Sequence, residues 1–299
     1  MGKLKRSFYK KLMQFGFVHP EVILLMDGGI CSQMHQYLLG QLYAEKGYLV
    51  CFDVSFFQEW GSDLNRKFVR NFDLLKAFPY LHFDKASKMA VDFYKRKCYF
   101  GGNNSGTRID DFSFLQFTPP VYLGGYYHLP PEIWLKTFRS LFKMTPGVLD
   151  NSNEELCKEI KDCICPVAVH VRRGDLSVDV YAYGKPASFD YFKKAVRFFE
   201  EKLLLPYFYF FSDEPSWVEK ELISNLSLND NFKVIDINGS DKGYMDLFLI
   251  AHCRHCITSK GTLGKYGALL GDDSNKYVIL CDDETEYVWK NLFQHPIFL

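Results

Sequence analysis

The chain has 299 residues, 47% of them hydrophobic, including 28 phenylalanines and 19 tyrosines. That supply of apolar side chains suits one large or two ordinary domains and excludes a disordered polar chain. With 36 basic against 36 acidic residues there is no net charge, so bulk attraction to a polyanion is excluded and any phosphate site has to be local.

The first eleven residues carry Lys3, Lys5, Arg6, Lys10 and Lys11. No apolar run of signal-peptide length follows, because Gln14, His19 and Glu21 interrupt it. Nowhere does an apolar stretch approach the ~20 residues of a membrane span, so the basic start offers at most weak contact with an anionic membrane face. Val22 to Met26 reads as a first buried strand. It runs into Asp27-Gly28-Gly29-Ile30-Cys31-Ser32-Gln33, and an amphipathic stretch from Met34 to Lys46 predicts a helix stopped by Gly47. Strand, glycine pair and helix open a Rossmann-like unit, in which Gly28 and Gly29 let the backbone approach a ligand at a helix N-terminus. The spacing is not GxGxxG, which disfavours a dinucleotide oxidoreductase. Tyr48 to Asp53 is the next strand. Residues 54–118 are aromatic, basic and irregular, with helical patches near 84–97, and read as an insertion or an acceptor-facing loop region. Val121 to Tyr127 reads as a strand ending in an aromatic turn. Helices follow near 131–143 and 152–162, the second capped by Asn151 or Ser152.

Pro166 to Val171 is a short apolar strand interrupted only by His170, and Arg172-Arg173-Gly174-Asp175 follows without a gap. Ligands of open α/β sheets bind outside the carboxyl ends of the strands. Two guanidiniums there can hold a diphosphate through bidentate, charge-assisted hydrogen bonds. Gly174 allows a tight turn, and Asp175 can fix an arginine or accept from a ligand hydroxyl. The plainer alternative is a solvated turn with a local ion pair. Helix and strand then alternate: a helix from Phe189 to Leu204, a strand Tyr207–Phe211 ending in Ser212-Asp213-Glu214-Pro215, and a helix from Ser216 to about Ser224. Strand Phe232–Asp236, helix Tyr244–Cys253 with Asp246 in its first turn, and strand Cys256–Thr258 come next. A helix opened by Ser259 to Lys265 and a last strand Tyr277–Leu280 complete a second Rossmann-like domain. His252-Cys253-Arg254-His255-Cys256 invites a zinc site, but no second Cys/His pair stands at finger spacing, and no metal is expected. The nine cysteines are an odd number in a chain this large and read as reduced thiols in a cytoplasmic protein.

Taken together these strand ends resemble one family. His170-Val171-Arg172-Arg173-Gly174-Asp175 is similar to the HxRRGD signature of the α-1,2-fucosyltransferases, glycosyltransferase family 11. Gly28 to Tyr37 is similar to the family's GGLGNQMFQY, and Phe211 to Val218 to its FSDD-x-x-WV segment. Asp246 to Leu249, Cys253-Arg254-His255 and Gly267 to Leu270 resemble DLxLMxxCRH and the segment after it.

The resemblance implies a GT-B fold of two Rossmann-like domains facing across a cleft. The first, residues 1–160, would hold the acceptor and the second, 161–299, the donor. It implies inverting transfer of fucose from GDP-fucose to a galactose 2-hydroxyl, with no cofactor and no obligatory metal. Arg172 is then the residue expected to clamp the donor β-phosphate, supported by Arg173 and Asp175. Donor contacts are also expected from His170, Asp213, Asp246, Ser259, Lys260, Thr262, Gly28, Gly29 and Gln33. Where the family has Asn-Ser-Thr-Phe-Ser-Trp-Trp, this chain has Lys260 to Tyr266, which removes two serine hydroxyls and puts Lys260 at a helix N-terminus. A different donor or acceptor, or a binding module without catalysis, are the alternatives. For the general base, Asp27, His35, His128 and Asp175 all remain open.

Overall fold

The first half of the chain folds around β1 (Val22–Leu25), β2 (Val50–Asp53), β3 (Tyr99–Gly101) and β5 (Val121–Gly124), a parallel sheet in the order β2-β1-β5-β3. β4 (Arg108–Ile109) and β6 (Tyr126–Tyr127) form a separate parallel pair. The structure, a computed structural model, describes residues 3–62, 66, 68–101, 108–109, 112–127, 129–178, 185–226, 228–271 and 273–299. β3 was not legible in the sequence: three residues after a helix lack a period to recognise. That helix, Lys88–Lys97, starts at Ser87, whose side chain accepts from the Ala90 amide. Asp53, at the end of β2, is 2% exposed and closes this unit's polar interior. Burial pushes its carboxyl up, but Lys95 (2.8 Å), the Ser55 amide (2.9 Å) and Tyr122 Oη (2.7 Å) outweigh that and hold it low.

The second half is built on six parallel strands: β7 (Pro166–Val171), β8 (Tyr207–Ser212), β9 (Phe232–Ile235), β10 (His255–Ile257), β11 (Tyr277–Leu280) and β12 (His295–Phe298). Their order, β9-β8-β7-β10-β11-β12, is the doubly wound Rossmann order, with the topological switch between β7 and β10. β12 lies beyond Tyr277–Leu280, the last strand expected from the sequence. Pro296 argues against a strand, yet at a sheet edge its missing amide costs no ladder bond.

β7 is buried along its whole length, so the alternation of sides carries apolar residues on both faces. On one face Val167, Val169 and Val171 meet Phe208, Phe210 and the Phe189–Lys202 helix. That helix is capped by Ser188, which accepts from the Tyr191 amide, and buries Tyr191, Phe192, Ala195, Val196 and Phe199. Each large side chain buried there contributes roughly 1.5–3 kcal/mol relative to exposure.

The chain divides into two units, Met1–Ser62 with Arg70–Leu141, and Phe142–Leu299 with Asp63–Val69. Two Rossmann-like units are what the expected GT-B class requires of the chain. The boundary itself falls after Leu141 rather than after residue 160. Helix Asn151–Asp162 joins the second unit because Asn153, 1% exposed, donates to Asn238 Oδ1 (3.0 Å) and Met245 Sδ (3.0 Å). Its cap is Asp150 rather than Asn151 or Ser152, and Asp150 also pairs with Lys242 at 3.0 Å. Among the described residues no helix is long and apolar enough to cross a membrane.

Candidate active site

At the switch point β7 and β10 lie side by side while their connections leave toward opposite flanks of the sheet, which opens a crevice at their carboxyl ends. Arg172 leaves β7 there and Ser259 leaves β10. The Arg172 amide donates to Ser259 Oγ at 2.8 Å, and Ser259 is 1% exposed. His170 Nδ1 stands 3.5 Å from the same hydroxyl. Burial first, then the charges of Arg172 and Lys265, hold this imidazole down at about 3, so His170 is a neutral, enclosed wall of the site.

The two arginine side chains have different partners. Arg172 Nε lies 3.6 Å from Asp213 Oδ2, and the side chain keeps 25% exposure. Arg173 donates its amide to Asp213 Oδ1 (3.0 Å) and its Nε to Glu214 Oε2 (3.2 Å). Its guanidinium carbon sits 3.5 Å from the centre of the Trp217 ring, which stacks on Phe189. A guanidinium stacked on an indole and tied to a carboxylate is a bracing group. Asp213 therefore orders both arginines, a role that its strand-end position alone did not disclose. Gly174 is required for close approach rather than for a turn with positive φ: a Cβ there would come within 2.4 Å of Phe68 and 2.6 Å of Asp213 Oδ2. The Asp175 side chain lies outside the described residues.

The loop after β10 also differs from expectation. Lys260 Nζ pairs with Asp283 Oδ2 (2.9 Å) and reaches Thr285 Oγ1 (3.3 Å), so its charge is spent on the segment after β11 and not on the helix it precedes. Thr262 caps helix Leu263–Leu270 in sequence position, but its side chain makes no capping bond. Lys265 is the group the sequence did not flag. Fully buried, it donates to the carbonyls of Ser259 (2.8 Å) and Gly261 (2.6 Å) and meets Glu286 Oε2 at 2.7 Å. Burial lowers its pKa while Glu286 raises it, and the lowering prevails.

Asp246 stands in the first turn of helix Gly243–His252, beyond the end of β9, and accepts from Asn238 Nδ2 at 2.8 Å. Burial pushes its carboxyl up to about 7 against the pull of that bond. Thus Arg172, Asp213, Asp246 and Ser259 follow four different strands at one edge of one sheet.

The first unit treats its expected donor contacts differently. Gly28 has φ +69, which favours glycine, and Gly29 begins helix Ile30–Ala44. Gln33, expected to touch donor, is fully buried. Its Nε2 donates to Gly28 O (3.2 Å) and Asn71 O (2.8 Å), and its Oε1 accepts from the Asp73 (2.9 Å) and Leu74 (3.0 Å) amides. All its capacity goes to backbone, so Gln33 is a structural clamp. His35 accepts from Trp134 Nε1 (3.2 Å) at Nδ1, which leaves Nε2–H to donate to Tyr127 O (2.6 Å). Asp27, 9% exposed, takes Gln36 Nε2 at 2.6 Å, and burial raises its pKa. His128 lies outside the described residues. In the 252–256 run, Cys253 and Cys256 point their thiols at Leu249 and Gly264 carbonyls, and His255 accepts from the Tyr277 amide. Among the described residues no group of three His, Cys, Asp or Glu is placed to hold a metal.

The model of glycosyl transferase family 11 matches residues 88–292. Over 148 residues the chain is 27% identical to the O-antigen biosynthesis glycosyltransferase WbnK of Escherichia coli, covering 46% of each protein. It is 27% identical over 128 residues to an Escherichia coli alpha-1,2-colitosyltransferase, covering 42% of this chain and 43% of the other. The matches thus span under half the length of these curated relatives. Among solved structures, NodZ alpha-1,6-fucosyltransferase soaked with GDP-fucose aligns with a TM-score of 0.47 at 13% identity, over 84% of this chain and 93% of that one. E. coli ADP-heptose lps heptosyltransferase II aligns with a TM-score of 0.48 at 10% identity, over 93% and 90%. With the family model matching well over half its length, the chain belongs to glycosyl transferase family 11.

Proposed function

We propose that this protein is an inverting glycosyltransferase that moves L-fucose from GDP-fucose to the 2-hydroxyl of a terminal galactose. One observation carries the reading: the Arg172 guanidinium projects from the Rossmann switch point on a backbone tied to Ser259. In the transfer the acceptor oxygen bonds to the sugar's anomeric carbon as the bond to the β-phosphate oxygen breaks. The electron pair leaves with GDP, and the hydroxyl proton passes to a base. A fixed guanidinium at the β-phosphate stabilises the charge that grows there, and removing such a donor typically costs ~10²–10³ in rate. Asp213 holds Arg172 in position, while Asp246 stands where a ribose hydroxyl or a guanine N–H could be met. Nine free cysteines fit a reducing, cytoplasmic setting. A second donor is favoured by the loop after β10, where Lys260 and Lys265 replace the family's residues and are both paired with acids. That loop, together with a relative named as an alpha-1,2-colitosyltransferase, supports a related deoxyhexose as the alternative sugar.

Calorimetric titration with GDP and GDP-fucose, in chelator, beside Arg172→Ala tests the reading. Binding by the native protein that the variant loses supports the assignment, and GDP release with a β-galactoside acceptor completes it. If neither nucleotide binds, the GDP-fucose reading is wrong. Binding without turnover on any acceptor would leave a nucleotide-sugar-binding module instead.

A further inference from the structure

The helix Lys3–Gln14 carries two rows of apolar side chains, one of them packed into the core. Tyr9, 3% exposed, packs its ring 5.2 Å from that of Phe93 and 6.4 Å from that of Tyr94, with Met13 on the same row. Residues four apart share a helix face, so Phe8 and Leu12 begin a second row, one residue round from the first, that continues toward Phe15. Phe8 is 58% exposed, and Phe15 and Phe17, just past the helix, are 73% and 78% exposed. The helix end fixes these last two rings. Gly16 has φ +75, its amide donates to Met13 O (3.1 Å), and the Phe17 amide donates to Leu12 O (2.9 Å). That pair of bonds is a Schellman cap, which turns the chain at a defined angle rather than leaving a fraying end.

Charge separates in the same place. The first twenty residues hold five basic side chains and no acidic one, in a chain whose totals cancel. Lys10 and Lys11 are both exposed, and Lys11, three residues after Phe8 and four before Phe15, shares the face of the aromatic row. Three large exposed rings fall within ten residues of a stretch that carries no acid, and exposed apolar side chains clustered in this way mark interaction sites. A basic, phenylalanine-bearing helix matches the interfacial helices that bury their rings at the headgroup boundary while their cations face anionic lipid. We propose that the Lys3–Gln14 helix and its Gly16 cap dock on an anionic lipid surface, with Phe8, Phe15 and Phe17 inserted and Lys11 on headgroup phosphates. The orientation leaves the Tyr9 row packed on Phe93 and Tyr94, so docking asks for no unfolding.

The test is co-sedimentation of the full chain with vesicles of phosphatidylcholine, alone and mixed with phosphatidylglycerol. The native protein is expected to pellet with the anionic vesicles only, and to be released as salt screens the contact. Lys11→Glu should weaken partition by at least about fivefold. Phe8→Ser with Phe15→Ser and Phe17→Ser should abolish it while leaving the thermal melt and the GDP titration unchanged, since all three rings are exposed. Equal binding to neutral vesicles, no binding to either, or binding retained by the phenylalanine variant would overturn the proposal. So would a native dimer in sedimentation velocity that this variant converts to monomer, because the face would then be a self-contact.

Discussion

The amide of Arg172 and the hydroxyl of Ser259 meet at 2.8 Å, and they come from the ends of the two strands that flank the switch point. One short bond therefore sets the angle at which the arginine leaves the sheet. Ser259→Ala removes the acceptor and leaves a largely enclosed amide unpaired, which costs about 1–3 kcal/mol. The expected result is a lower urea midpoint together with weaker GDP binding in calorimetry. A variant that loses stability yet binds GDP as the native protein does would show that the bond braces the fold without aiming Arg172.

Asp246 makes stability fall as pH rises. Its carboxyl, raised to about 7 in the folded chain, keeps a proton that the unfolded chain releases near its ordinary value of about 4. Between those values the folded state binds more protons, so each step up in pH favours unfolding, and above about 7 the penalty is constant. Asp246→Asn keeps the acceptor for Asn238 and removes the titration. Urea midpoints of the two proteins are expected to coincide near pH 4 and diverge up to pH 7, with the variant the more stable. Parallel curves over that range would place the carboxyl at its ordinary value.

Lys265 and Glu286 are both buried, so neither charge tolerates losing the other. Lys265→Met leaves Glu286 uncompensated and is expected to cost about 3–5 kcal/mol, whereas Lys265→Met with Glu286→Leu should recover much of that. Chemical denaturation of the four proteins in a double-mutant cycle measures the coupling. Additive losses would mean that the two side chains act independently.

The alternating half of the chain was legible because its central strand β7 is a short, fully buried apolar run and the Phe189–Lys202 helix after it has a clear period. β7 and its arginines stood out for that reason, and the sheet order then brought Ser259 to Arg172. Partners distant in sequence were not legible. Gln33 looked like a ligand group at a helix N-terminus, but its four bonds go to Gly28 and to residues 71–74 of an irregular stretch without periodicity. Lys260 looked like a phosphate-binding group at a helix start, and nothing local in Asp283 or Glu286 distinguished them from the acids of a solvated turn. β12 was hidden by Pro296, whose usual message about strands does not apply at an edge.

The two lysines after β10 answer to two acids after β11, and this has a consequence for redesign. A graft confined to residues 259–265, the natural choice for changing sugar preference, would carry both cations away from their counter-charges and strand Glu286 in the interior. Natural drift at this loop faces the same constraint, so the 283–286 segment is expected to change in concert with it. Exchanging the two stretches as a single cassette is the smallest transplant that keeps the electrostatics closed.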